Sequence, residues 1–203
     1  AKAPTAGLLV RQEGALAAGD GLLASLTVSL PESREIPTPS SSGALFSTMK
    51  GAPLVHISSH GQGASLSASS SLLSPLKHGS IPLAGNNWLS TGDILALGAP
   101  HTLVFLGICE GIKGLGVFQE VDYGSVGWAF LATGTRSVIA AQRQGGEGAT
   151  HRLESLFYAK LREEGPARAL ALAQREMIHS STLLDAASGE SCDLTRPSTH
   201  ACV

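Results

Sequence analysis

The chain has 203 residues, a length at which one domain, or one domain with a tail, buries a substantial core. Hydrophobic residues make up 43% and charged residues 15%, and 24 residues are Gly, which is typical of a globular α/β domain with many turns. The net charge of −2, with scattered Lys and Arg, argues against direct binding to nucleic acid, and no apolar run approaches the roughly 20 residues that a membrane helix needs.

The chain contains three cysteines, Cys109, Cys192 and Cys202, which are too few for a disulfide framework at this length. A pair between the last two is open as an alternative. A reducing compartment is the simpler interpretation, so we expect a cytoplasmic protein, and we predict no metal or other cofactor. Because Ala1 rather than Met leads directly into fold-like sequence, we also expect a piece of a larger protein.

The first part of the chain predicts a strand–helix–strand unit, after weak signals near the start. A strand at 26–30 is closed by Pro31, and the Pro- and Ser-rich residues 31–42 predict a loop. The apolar face of a short helix is formed by Leu45, Phe46 and Met49. The next strand leads to His60, and such a unit requires a parallel pair with a right-handed crossover.

The middle of the chain continues the alternation with longer connections. Residues 61–87 and 111–124 predict irregular segments rich in Ser and Gly. Between them, Ser90 or Thr91 caps a short helix. A fully apolar strand then runs to Cys109.

The last part predicts two amphipathic helices after a further helix and a strand at 136–141. Pro166 fits the first position of the final helix, which runs to about His179. We predict one domain over 1–184 and a poorly ordered polar tail over 185–203. The alternation predicts an α/β fold with a mostly parallel central sheet and helices on both faces.

Two strand ends carry the candidate catalytic residues, His60 and Cys109. In open α/β sheets, ligands bind beyond the carboxyl ends of the strands, and both residues are expected there. A cysteine nucleophile attacks as the thiolate and needs a neighbouring acid or base, which a histidine supplies. We therefore predict that His60 and Cys109 face each other and cleave peptide bonds.

Glycines accompany both residues. Gly61 allows a substrate backbone to approach closely, and its N–H together with that of Cys109 is a candidate oxyanion hole. Gly107 leaves an open space beside the thiol. His60 precedes Cys109 by 49 residues, close to the separation of about 50 known for caspases.

These motifs resemble those of the caspase-fold cysteine peptidases. The similarity is closest to the CHAT domain, a caspase-like module often found with helical repeats and related to separase. The similar segments span about 26–180 and are Leu54–Gly61, Leu103–Gly111, Phe130–Ala140, Phe157–Tyr158 and Ala169–Gln174.

The resemblance implies a caspase-like three-layer sandwich and an endopeptidase with a His–Cys dyad that needs no third member. It maps the general acid and base onto His60 and the nucleophile onto Cys109. It also implies a specificity pocket near Gly107 and near the end of the fourth strand, at Gln142. The expected partners are a protein or peptide substrate and a helical-repeat domain or activator protein, and relatives are commonly defence or cell-death proteases.

Other roles for these residues are open. Cys109 has the alternative of a small buried hydrophobic residue. His56 is a competing base on the same strand face, although a packed histidine is expected that deep in a strand. A metal pair of His56 and His60 would need helical spacing and further ligands, and the sequence has neither. Glu110 either orients His60, binds a basic substrate residue or is an exposed acid.

Two other functional states are also open. The domain is alternatively a catalytically silent caspase-like scaffold used for signalling. A regulated protease is a further alternative, in which the two long loops beside the dyad become ordered only on activation. Three roles are open for Glu120 and Asp122 in the second loop: they shape the cleft, they form an activation cleavage site, or they are solvated residues without a specific role.

Overall fold

The computed structural model describes residues 6–12, 20–59, 80–108, 125–141, 147–179, 183–184 and 191–192. The chain divides into two compact units. The sheet unit comprises residues 8–15 and 35–143, and the helical unit comprises residues 1–7, 16–34 and 144–203.

Nine strands occur among the described residues. They are β1 (Gly7–Arg11), β2 (Arg34–Pro37), β3 (Leu54–Ser58), β4 (Ser80–Pro82), β5 (Trp88–Ser90), β6 (Leu103–Gly107), β7 (Val138–Ala140), β8 (Leu183–Leu184) and β9 (Ser191–Cys192). Five of them form the central sheet in the order β2-β1-β3-β6-β7, while β4 with β5 and β8 with β9 form two-stranded pairs. The central strands β3, β6 and β7 run parallel to one another.

Six α-helices accompany these strands in the described ranges. They are α1 (Asp20–Ser29), α2 (Ser42–Met49), α3 (Thr91–Leu97), α4 (Val126–Ala132), α5 (Glu147–Leu161) and α6 (Pro166–His179). Serine caps open three of them, because the side chains of Ser41, Ser90 and Ser125 accept hydrogen bonds from backbone N–H groups of the first turn. The predicted cap at Ser90 and the predicted start at Pro166 are confirmed.

The core of the sheet unit lies on one face of the sheet. Alternate residues of the central strands, such as Val55 and Ile57 of β3 and Val104 and Leu106 of β6, are buried there with the apolar sides of α2, α3 and α4. The helix residues of this core are Leu45, Phe46, Met49, Ile94, Val126, Ala129 and Phe130. The predicted apolar face of α2 is thus confirmed.

The predicted strand at 26–30 is wrong, because residues 26–29 are the second half of α1 and Leu30 follows it directly. Thr27 and Val28 are β-branched and favour a strand, but Leu22, Leu26 and Leu30 recur every four residues and are buried. Val28 is 74% exposed, as the outer face of a helix requires. A strand pattern of five residues was too short to reveal this four-residue period.

Strands occur in four places where the sequence predicted none, and one of them is the pair of β8 and β9 near the end of the chain. The apolar run Leu8–Val10 forms β1, although the first 22 residues gave weak signals. β2 lies inside the predicted loop 31–42 and is only partly buried, as an edge strand with a terminal proline permits. The hairpin of β4 and β5 falls partly in the predicted irregular segment 61–87, of which residues 61–79 lie outside the described part of the chain.

The helical unit is held by α5, which contacts α1 and α6. Glu154 is buried on α5 and pairs with His151, whose Nδ1 lies 3.2 Å from the carboxylate. Burial raises the pKa of Tyr158 well above its ordinary value, and the charge of Glu154 raises it further. At the surface, Lys160 of α5 and Glu176 of α6 form an ion pair of 2.6 Å.

Both faces of the sheet are buried at its centre, since every residue of β3 is buried and its side chains alternate between the faces. The predicted α/β fold of the caspase-like three-layer class, with a mostly parallel central sheet, is confirmed. The predicted domain boundary at residue 184 stays a prediction. Among the described residues, none of the helices is both long enough and apolar enough to cross a membrane.

Candidate active site

The carboxyl ends of β3 and β6 meet at one edge of the sheet. Their parallel register pairs Leu54 with Leu103 at the start and Ser58 with Gly107 at the end. The strands are long runs of apolar, often β-branched residues, which favours a central position buried on both faces. Because they are equally long and in register, the chain leaves both strands at the same level.

Hydrogen bonds continue beyond these ends and include a third strand. The N–H of Ser59 donates to the carbonyl of Gly107 at 3.3 Å, and the N–H of Gln12, which follows β1, donates to the carbonyl of Ser58 at 3.1 Å. The hydroxyl of Ser59 donates to Oε1 of Gln12 at 2.7 Å. The ends of β1, β3 and β6 are therefore joined by backbone and side-chain bonds.

The residues proposed for catalysis follow directly from these ends. His60 is two residues beyond Ser58 in the chain, and Cys109 is two residues beyond Gly107. The predicted site residues that lie outside the described part of the chain are His60, Gly61, Cys109, Glu110 and Gln142. The assigned roles of these five residues therefore stay predictions.

Gly107 is the predicted site residue that the structure describes. It is the last residue of β6 and is partly buried. Its carbonyl accepts the hydrogen bond from Ser59, so its backbone is fixed at the strand end. The next residue, Ile108, is buried in the core together with Val104 and Leu106, so the alternation of β6 persists for one residue past the strand.

His56, the competing base, is packed inside the sheet. It is fully buried, and its ring stacks on Phe105 of β6 with a centroid distance of 4.8 Å and an interplanar angle of 9°. The two residues are register partners across β3 and β6. The expectation of a packed side chain at His56 is confirmed, and this packing removes the ring from any contact with bulk solvent.

The next strand along the sheet ends at a similar level. Ala140, the last residue of β7, is paired with Leu106 of β6, and Gln142 follows it by two residues. At the opposite edge of the sheet, the described residues line a cavity of about 340 Å³ that includes His101 and Arg136. That cavity contains none of the predicted site residues.

Sequence reasoning missed Gln12 and Ser59, which join the strand ends. The signal available was the same one that singled out His60: a polar residue at the end of an apolar run. Leu8–Val10 is such a run, but it was not recognised as a strand, and Gln12 was therefore not placed at the sheet edge. Among the described residues, no group of three or more His, Cys, Asp or Glu side chains is arranged to hold a metal ion.

Comparisons with known proteins agree with this architecture. The model of the CHAT domain family matches residues 15–189, which is most of the chain. A search of curated proteins finds no match.

Proposed function

Because this chain belongs to the CHAT domain family, which is a caspase-like cysteine peptidase family, we propose that it is a cysteine endopeptidase with a dyad of His60 and Cys109. The observation that carries the proposal is the register of Ser58 with Gly107 at the carboxyl edge of the sheet. This edge is where α/β sheets bind their ligands.

The offset of the two residues supports the pairing. His60 and Cys109 each follow one member of the pair Ser58–Gly107 by two residues. Strand side chains return to the same face every two residues, and consecutive Cα atoms are about 3.8 Å apart. Equal offsets from one register pair are what a dyad on neighbouring strands requires. His56 is an unsuitable base because it is fully buried and stacked on Phe105.

The chemistry follows that of other cysteine nucleophiles. The thiolate of Cys109 attacks the scissile carbonyl carbon, and the new oxyanion accepts hydrogen bonds from the N–H groups of Gly61 and Cys109. His60 gives its proton to the departing amine as the C–N bond breaks, which leaves a thioester on Cys109. His60 then takes a proton from water, and the resulting hydroxide attacks the thioester. The intermediate collapses to the acid product and the thiolate of Cys109, and the proton stays on His60.

Three further residues are proposed to contact the substrate. Gly107, whose backbone is fixed by Ser59, leaves room beside the nucleophile for a substrate side chain. Gln142 borders the same pocket from the end of β7, and Glu110 offers a carboxylate to a basic residue of the substrate. A protein substrate, an activator or helical-repeat partner and a cytoplasmic location complete the proposal.

A fluorogenic peptide library that varies the residue before the cleaved bond tests this function. We expect the wild-type chain to release the fluorophore from a subset of peptides, and both Cys109→Ala and His60→Ala to abolish release. Full activity in the Cys109→Ala variant would rule out the dyad.

Labelling of Cys109 by a peptide electrophile separates an inactive state from a scaffold. A regulated protease is labelled at Cys109 once its native partner is present, even if it cleaves nothing alone. Absence of labelling in the presence of that partner would favour a silent scaffold instead.

A further inference from the structure

The residue before His60 is held by hydrogen bonds on both sides of its strand. Ser59 is only 4% exposed, and it follows β3 directly. Its N–H donates to Gly107 of β6, and its hydroxyl donates to Oε1 of Gln12 at 2.7 Å. Gln12 in turn donates its backbone N–H to Ser58. Hydrogen bonds from both sides of β3 therefore hold Ser59, the residue that precedes His60 in the chain.

The side-chain bond in this network is not required by the sheet. Backbone ladders alone would join β1 to β3 and β3 to β6. The bond between Ser59 and Gln12 adds a restraint on the rotation of Ser59. Because the direction of residue 60 depends on the backbone angles of residue 59, this restraint acts on the first atoms of the His60 residue.

We propose that Gln12 and Ser59 are positioning residues that hold His60 against the thiol of Cys109. The inference rests on the proposed function and deepens it. A catalytic side chain must be held within about 0.5 Å of its working geometry, and groups behind it supply that accuracy. Neither Gln12 nor Ser59 needs to touch the substrate for this role.

Charged groups also lie near these strand ends. Among the described residues at these strand ends, Arg11 of β1 and Glu35 of β2 carry charge, and they pair with each other at 2.9 Å. Arg11 precedes Gln12 at the end of β1. Glu35 lies on β2, which neighbours β1 on the side away from β6. The bond from Ser59 to Gln12 is a neutral side-chain contact between the residue after β3 and the residue after β1.

The pH dependence of thiol alkylation reports the position of His60 without any knowledge of the substrate. A well-placed imidazole increases the thiolate fraction of Cys109 near neutral pH, whereas at pH 9 a cysteine is largely thiolate without help. The ratio of alkylation rates at pH 6.5 and pH 9 thus depends on His60. Partial unfolding changes the alkylation rates at both pH values together, and the melting temperature of each variant measures it independently.

The experiment uses iodoacetamide on the full chain, with mass spectrometry of each cysteine peptide. Cys192 and Cys202 serve as internal references in every sample. We expect Ser59→Ala and Gln12→Ala each to lower the rate ratio of Cys109 by about tenfold, the order of magnitude of one lost hydrogen bond. Ser59→Thr and Gln12→Glu, which keep a donor and an acceptor, should restore most of the ratio.

A matched control removes a hydroxyl at the other edge of the sheet. Thr133 donates to the carbonyl of Phe130 at 2.9 Å, and Thr133→Val deletes that bond while keeping the side-chain shape. This control should keep the wild-type ratio. If Ser59→Ala does not fold, Gln12→Ala tests the same bond from its accepting side.

The His60→Ala variant separates the two ideas. If the ratio falls in His60→Ala but keeps its wild-type value in both Ser59→Ala and Gln12→Ala, the positioning role is overturned and the dyad stands. An unchanged ratio in His60→Ala would overturn the dyad and with it the positioning role. A lowered ratio in all three variants, with recovery in Ser59→Thr and Gln12→Glu, supports both.

Discussion

The two edges of the central sheet are built differently. At the amino edge, the chain enters β3, β6 and β7 through short connections of four or five residues, at 50–53, 98–102 and 133–137. At the carboxyl edge, β3 and β4 are separated by the 21 residues 59–79, and β6 and α4 by the 18 residues 108–125. Short connections fix an edge, whereas long ones supply the variable surface on which binding and catalysis concentrate.

The hydrogen bonds at the two edges differ in the same way. At the amino edge, Nδ1 of the buried His101 lies 2.8 Å from the carbonyl of Ala52, and Arg136 donates its N–H to the carbonyl of His101. These bonds link the turn before β3 to the turn before β6, and the turn before β6 to the turn before β7. At the carboxyl edge, the bond from Ser59 to Gln12 joins the strand ends that lead to the candidate dyad. We expect mutations at the first edge to change stability and mutations at the second to change activity.

The largest effect is expected for the dyad. Single substitutions of His60 or Cys109 by Ala should each lower hydrolysis of the best library peptide by at least about 1,000-fold, and the double variant should lose no more than either single one. The melting temperatures should stay near that of the wild type. Additive losses in the double variant would show that the two residues act independently, which contradicts a dyad.

The second effect is on stability at the amino edge, at Gly98. A Cβ atom on this residue would lie 2.4 Å from the carbonyl oxygen of Ile94 and 2.8 Å from Cγ2 of Thr133. Because one contact is with backbone, the helix end must move, and we expect Gly98→Ala to cost about 3 kcal/mol of the free energy of unfolding. Urea denaturation measures this loss.

A glycine in open space provides the control for Gly98. Gly43 lies in α2 of the same unit, and a Cβ there would meet nothing within 4 Å. Gly43→Ala should be neutral or stabilising by up to about 1 kcal/mol, because alanine has the higher helix propensity. Equal losses in the two variants would mean that the close packing at Gly98 is not what the substitution disturbs.

The difference between the edges also explains what the sequence could predict. Central strands such as β3 and β6 are mostly apolar runs, so their existence, their place in a parallel sheet and the packed side chain of His56 were accessible to pattern reasoning. The cap at Ser90 and the helix start at Pro166 depend on single residues with strong local preferences and were equally accessible. β1 is a short apolar run that was not recognised as a strand, whereas β2, a partly buried edge strand inside a Pro- and Ser-rich segment, gives little signal of its own.

For the same reason, the candidate site was predicted only in part. A polar residue after an apolar run identifies His60 and Cys109, since it needs only local information. The bond between Ser59 and Gln12 joins residues 47 positions apart and requires the strand order β1-β3-β6. No spacing rule contains that order, because it is fixed by how the strands pack after they form.

The third effect concerns the buried histidine of the amino edge. Replacing His101 by Leu would remove the donor to the carbonyl of Ala52 and leave that carbonyl without this bond, at a cost of about 2 kcal/mol. The amide of His101→Asn should recover part of the loss, because it offers a donor in place of Nδ1. Thermal denaturation of both variants measures the difference. A fall in alkylation of Cys109 at pH 6.5 in folded His101→Asn would contradict the separation of the edges.

The smallest effect is expected at the start of α3, where Ser90 and Asp93 form a capping box. Partial burial raises the pKa of Asp93, but hydrogen bonds from Ser90 and Ser42 outweigh it, so the pKa is lowered. The folded state therefore gains stability from the ionised carboxylate above the unfolded value of about 3.9, and loses it as the pH falls through the lower folded value.

Ser90→Ala should cost about 1 kcal/mol at neutral pH, because both the cap and a donor to Asp93 are removed. The cost should shrink below about pH 4, where the wild type also loses the ionised carboxylate. Urea titrations of both proteins at pH 7 and pH 3 measure the change. A cost that is equal at both pH values would show that the cap acts without the charge of Asp93, and the amino-terminal turn of α3 would then be held by the serine hydroxyl alone.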